Sequence, residues 1–102
     1  MLVNLTPHIL NVQAADGSWI ELPPSGKIAR VAVRRIPGGI VDHIQVYEAS
    51  FGEVEGLPEP EPVVRLIVSR IVLEASGRFD LLAPGELVRD EKGQPIGCLG
   101  LS

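Results

Sequence analysis

Three short segments of this chain carry the residue types able to do chemistry. They are Asn4-Leu5-Thr6-Pro7-His8, then Pro24-Ser25-Gly26-Lys27 with Arg30 just downstream, and an acidic run that contains Glu53 and Glu55. Histidine as a residue type can exchange a proton near neutral pH. His8 therefore reads either as a hydrogen-bonding or acid–base group facing a ligand or as a turn residue capped by Thr6. Ser25-Gly26-Lys27 lacks the spacing of a nucleotide-hydrolase phosphate loop and has no helix after it. A weaker anion cradle survives. Gly26 lets backbone amides turn toward an anion, Ser25 adds a hydroxyl, and Arg30 can supply charge-assisted bonds to a phosphate or carboxylate. The competing reading is a plain turn before a solvated strand face.

Glu53 and Glu55 stand two apart, a spacing that can serve acid–base work or magnesium binding. With Glu59 and Glu61 close by, a solvated acidic tract is the plainer reading, although Glu55 can still accept from a ribose or base edge. His8, His43 and the carboxylates show no metal-ligand spacing, so neither metal nor cofactor is expected. Arg78 and Asp80 point the same way along an extended segment and read first as a structural ion pair. Cys98 lies among Ile96, Gly97 and Leu99 with no His partner in sequence, the setting of a buried inert thiol. His43 reads as an exposed loop residue.

These groups need a frame, and the hydropathy pattern describes one. Residues 9–13 alternate apolar and polar, Asp16-Gly17 signals a hairpin, and residues 19–22 return before Pro23-Pro24 ends the ladder. Residues 28–34 form a further strand, with Ile28, Arg30, Ala32 and Arg34 on one face. Pro37-Gly38-Gly39 reads as the turn into a partner strand over 44–48. Residues 51–62, with three prolines and two glycines, read as a long acidic loop. Residues 63–68 are nearly all apolar, the pattern of a central buried strand. Ser69 is a helix N-cap, Val68, Ile71, Val72 and Ala75 form one stripe, and Gly77 stops the helix. Residues 86–89 and 95–99 pair across the turn at 90–94. The expected fold is α+β and β-rich: a small, mostly antiparallel sheet or partly closed barrel with one short helix.

The 102 residues make one domain, 1–102, and a hydrophobic content of 45% is enough for a core. Only four residues are aromatic, so Val, Ile and Leu must fill that core. A net charge of −4 argues against general nucleic-acid binding, which needs a basic face to displace counterions. One cysteine excludes an intrachain disulfide and fits a reduced, cytoplasmic setting. There is no signal-peptide pattern and no apolar run of the roughly 18–20 residues that span a bilayer. A homo-oligomer is expected, because a chain this short buries limited area alone.

The chain resembles a family of small proteins encoded by bacteriophages and prophages. The resemblance rests on Asn4-Leu5-Thr6-Pro7-His8, Leu22-Pro23-Pro24-Ser25-Gly26 with Ala29-Arg30-Val31, and Phe51-Gly52-Glu53-Val54-Glu55-Gly56-Leu57-Pro58. It runs on through Val68-Ser69, Asp80-Leu81-Leu82-Ala83-Pro84 and Val88-Arg89-Asp90 to Ile96-Gly97-Cys98. It implies a context in which small accessory proteins act on host defence, one class by binding nucleotide immune signals and withholding them. The expectation is a non-enzymatic binding protein for a small anionic, nucleotide-like ligand. Thr6, His8, Ser25, Gly26 and Arg30 would take the anion, and Asn4 and Glu55 would read polar edges. The alternatives are a small hydrolase of a nucleotide or related ester, with His8 and Glu53 or Glu55 as acid–base groups, and a virion or assembly component.

Overall fold

A computed structural model describes all residues, 1–102. Strands dominate, with a single seven-residue helix. In chain order they are β1 (Leu2–Asn4), β2 (Leu10–Gln13), β3 (Trp19–Leu22), β4 (Arg30–Val41), β5 (Ile44–Glu55), β6 (Arg65–Ile67), α1 (Arg70–Ser76), β7 (Leu81–Leu82), β8 (Pro84–Arg89) and β9 (Pro95–Leu101).

The strands form three sheets: β1-β6-β7, β3-β2-β9-β8, and the hairpin β4-β5. The β-rich α+β character with one short helix is as expected, while the single mostly antiparallel sheet or partly closed barrel is corrected to three open sheets that mix parallel and antiparallel pairings. Of the six strand pairings, β1 with β6, β2 with β9 and β6 with β7 are parallel, and no sheet closes. The reason is connectivity. Helix α1 carries the chain from β6 back to lay β7 alongside it in parallel, as a crossover connection must. The second sheet sets two hairpins side by side, so their inner strands β2 and β9 meet in parallel.

The apolar run at 63–68 does become a central strand. β6 lies between β1 and β7, and Leu66, Ile67 and Val68 are all buried. The core gathers Leu5, Ala29, Leu66, Val68, Val72 and Leu81, with Val3, Val31, Val54, Leu57 and Leu73 against it. Each large aliphatic side chain placed there contributes about 1.5–3 kcal/mol. Helix α1 forms between the expected caps. Ser69 Oγ accepts from Val72 N, and Gly77 takes the left-handed conformation with its amide on Leu73 O. The buried stripe is narrower than the periodicity predicts, since Val72 is buried and Ile71 is exposed. Packing against β4 and β5, rather than length, must hold so short a helix.

The largest departure is the β4–β5 hairpin, whose strands are twelve residues each. Pro37-Gly38-Gly39 is no turn. It lies inside β4, where a register shift between Pro37 and Gly39 leaves Gly38 as an extra, bulged residue. A bulge accommodates a proline that cannot donate to a regular ladder. The turn is Asp42-His43, both at positive φ (50° and 66°), closing a two-residue connection between the paired Val41 and Ile44. Positive φ at both central residues is the requirement of the type I′ hairpin turn, and Asp and His are among the side chains that tolerate it. Residues 51–55 likewise belong to β5, so the acidic loop begins only at Gly56. There the backbone crosses Ile28 so closely that a Cβ on Gly56 would run into the Ile28 carbonyl.

Candidate functional site

The Asn4-Leu5-Thr6-Pro7-His8 segment folds into a hydrogen-bonded brace. Asn4 is buried. Its Oδ1 accepts from Thr6 N at 2.9 Å and Thr6 Oγ1 at 2.6 Å, and its Nδ2 donates to His8 O at 2.9 Å and Leu22 O at 3.0 Å. That uses both amide protons and leaves no donor for a ligand. Thr6 Oγ1 also faces His8 N at 3.4 Å. Asn4 and Thr6 therefore spend their polar groups tying β1 to the end of β3, the task that falls to buried polar groups. His8 is exposed and borders none of the clefts described below.

Ser25 and Gly26 form the expected turn, with Gly26 at φ 95°. The Ser25 amide donates to Asn4 O at 2.9 Å, and its hydroxyl lies 3.4 Å from both the amide and the carbonyl of Lys27. Ser25 lines a small cleft with Lys27, Glu59, Glu61 and Asp80, which contains more carboxylates than cations. Arg30 is elsewhere. The expected anion site built from Thr6, His8, Ser25, Gly26 and Arg30 is not assembled in one place.

The structure does bring together Arg30 and Glu55. They face each other across the first rung of the β4–β5 ladder. Strand alternation puts Arg30, Ala32 and Arg34 on one face, and β5 answers with Glu55, Glu53 and Ser50. A bulge in β5, where the register shifts between Val31 and Val33, sets Glu53 on this face beside Glu55. The six residues line an open cleft of about 640 Å³ at the root of the hairpin. Arg30 and Val31 also border a second groove, lined by Thr6, Pro7, Ile28, Ile71 and Val72 between β4 and α1.

The electrostatics of the root cleft follow from what its arginines do not touch. The chain has one ion pair, Arg78 to Asp80. Arg70, Arg78 and Arg89 each spend guanidinium protons on backbone carbonyls. Arg30 and Arg34 form neither an ion pair nor a side-chain hydrogen bond within the chain, although carboxylates line the same cleft. Two unengaged planar forks beside acceptor-only carboxylates suit a ligand with an anionic group at one end and hydroxyl or amino donors at the other. Arg34 and Ser50 join this set beyond the sequence expectation, and Glu53, expected only as an acid–base alternative, stands with them. The shared face of Arg30 and Arg34 was the available signal.

Asp80 belongs to the frame. Arg78 Nε donates to its Oδ1 at 3.0 Å and the Nη2 group to Oδ2 at 2.6 Å, while Nη1 reaches Pro58 O at 3.0 Å. These bonds, with the added attraction of the Arg78 charge, hold the Asp80 carboxyl below its ordinary 3.8. Cys98 is buried in β9. No three His, Cys, Asp or Glu side chains gather as a metal-holding group, and no helix is long and apolar enough to cross a membrane. No family model, no curated protein and no solved structure matches the chain.

Proposed function

We propose that this chain is a non-enzymatic binding protein for a small anionic ligand of nucleotide type, held in the root cleft of the β4–β5 hairpin. The observation that carries the reading is the pair of unengaged guanidinium groups, Arg30 and Arg34, on one face of β4. Arg30 and Arg34 take the phosphate groups, Glu53 and Glu55 accept from ribose or base donors, and Ser50 completes the polar lining. The apolar groove that Arg30 shares with Pro7, Ile28 and Ile71 offers a floor for a flat ring. A cleft lined by strand residues is largely preformed, which limits the ordering cost of binding. Within the phage context that the sequence resemblance implies, the biological act is sequestration of a host immune nucleotide, released with its bonds unbroken.

Calorimetry against a panel of linear and cyclic nucleotides tests the proposal. One panel member is expected to bind and to be recovered with unchanged mass. Arg30→Ala and Arg34→Ala are each expected to weaken binding roughly 10-fold or more while leaving the circular dichroism spectrum intact, since a charge-assisted bond contributes about 1.5–3 kcal/mol. Full affinity in both variants sinks the assignment, and a hydrolysed ligand replaces sequestration with catalysis. The second reading, an assembly component, is favoured by the length of exposed strand beyond the cleft. Large discrete assemblies formed without ligand would mark it.

A further inference from the structure

The polar side chains that line the root cleft are Arg30, Arg34, Glu53, Glu55 and Ser50. No Asn, Gln, His, Tyr or Thr lines it. A side-chain amide presents a donor beside an acceptor, whereas a guanidinium only donates and a carboxylate only accepts. The charged lining therefore suits ligand edges of a single character, all donor or all acceptor. These groups are also ordered along the hairpin. Glu55 stands opposite Arg30 on the rung nearest the root. Arg34 stands opposite Ser50, four residues further out, roughly 13 Å along the strand. Ala32 and Gly52 lie between these rungs, close enough that a Cβ on Gly52 would touch the Ala32 methyl at 3.5 Å. Small residues thus leave the middle of the cleft open, with arginine at both ends and a carboxylate closing the root.

We propose that the nucleotide taken by this cleft carries guanine, and that Glu55 is the residue that selects it; this rests on the anionic-ligand reading of the root cleft. Guanine is the common base whose Watson–Crick edge offers two adjacent donors, the N1 proton and the 2-amino group. A carboxylate accepts both in parallel, the same two-point match that it makes with an arginine fork. Adenine and cytosine each set a ring-nitrogen lone pair beside the amino group, and uracil flanks its one ring proton with two carbonyls. A carboxylate meets a lone pair on each of these edges, a mismatch of the kind that separates bases in direct readout. Glu55 takes this role because it closes the cleft at the root, whereas Glu53 also borders a separate groove beside Ala75, Ser76 and Arg78. The phosphate lies over Ala32 and Gly52 between the two arginines, and Glu53 is left for the ribose hydroxyls.

Calorimetry of the full chain with the 5′-monophosphates of guanosine, inosine, adenosine and cytidine, and with ribose 5-phosphate, tests this. The guanosine compound is expected to bind tightest. The adenosine and cytidine compounds are expected to bind roughly 10-fold or more weakly, the scale of one two-point base contact. Inosine, which keeps the N1 proton and lacks the 2-amino group, is expected to fall between. Glu55→Gln, an exposed and nearly isosteric change, is expected to remove the guanine preference and leave adenosine binding at its wild-type strength, which also shows that the variant is folded. Arg34→Ala is expected to weaken all five ligands by a similar factor. Equal binding of the guanosine and adenosine compounds overturns the guanine assignment and leaves the anionic-ligand reading standing, as does a guanine preference that survives Glu55→Gln. Binding of none of the five overturns both.

Discussion

At the scale of single residues, the chain separates polar groups that hold the fold from polar groups left available. Asn4 is the clearest of the first kind. Its type and place in the opening motif suggested a ligand contact, yet its four hydrogen bonds all stay within the chain. Asn4→Ala is expected to strand the Leu22 and His8 carbonyls and the Thr6 amide, at a cost of about 2–4 kcal/mol. Urea unfolding measures it, and a loss below about 1 kcal/mol would show that water replaces the brace. Arg30 and Arg34 are of the second kind. Their availability was invisible in sequence, because five other arginines and many carboxylates offered equally plausible pairings. Only the fold shows that Arg78 finds Asp80 while Arg30, directly across from Glu55, forms no ion pair.

At the scale of elements, local sequence signals specify structure where local forces decide. The Asp16-Gly17 hairpin, the Ser69 and Gly77 caps and the central strand at 65–67 all rest on contacts between near neighbours or on one strong apolar run. The β4–β5 arm misled for a physical reason. Pro37-Gly38-Gly39 has ideal turn chemistry, but cross-strand pairing of the flanking residues carries the ladder past it through a bulge. The turn falls instead on Asp42-His43, whose left-handed backbone is costly for residues with a Cβ. Asp42→Asn with His43→Gly is therefore expected to stabilise the arm by up to about 1 kcal/mol. Slower amide exchange over residues 36–48 would report it, and unchanged or faster exchange would place the strain elsewhere.

At the scale of the whole molecule, the small core and the exposed arm set how stability responds to conditions. Only 13 of 102 residues are buried, so single polar anchors weigh heavily. Asp80 is one, joining the end of α1 to β6 through Arg78 and its own carbonyl. Its carboxyl is held below 3.8 in the folded chain. The sign follows: the stabilisation is fully present above the unfolded pKa and is lost as pH falls through the depressed folded value. Asp80→Asn is expected to lower stability at neutral pH and to flatten the acid limb below about pH 4. Thermal melts of both proteins across pH 2–7 check this, and parallel acid limbs would assign the acid sensitivity to other carboxylates.

The residue order alone determined the β-rich character, the capped helix, the buried central strand and the residue types available for binding. Those properties depend on side-chain type and on spacings of a few residues. Tertiary structure decided which strands run parallel, where the long hairpin turns, and which polar groups remain free after folding. Each of these depends on what lies opposite across a ladder or a cleft. The chain's own spacing cannot specify that, because a one-residue bulge is enough to change which residues stand opposite one another.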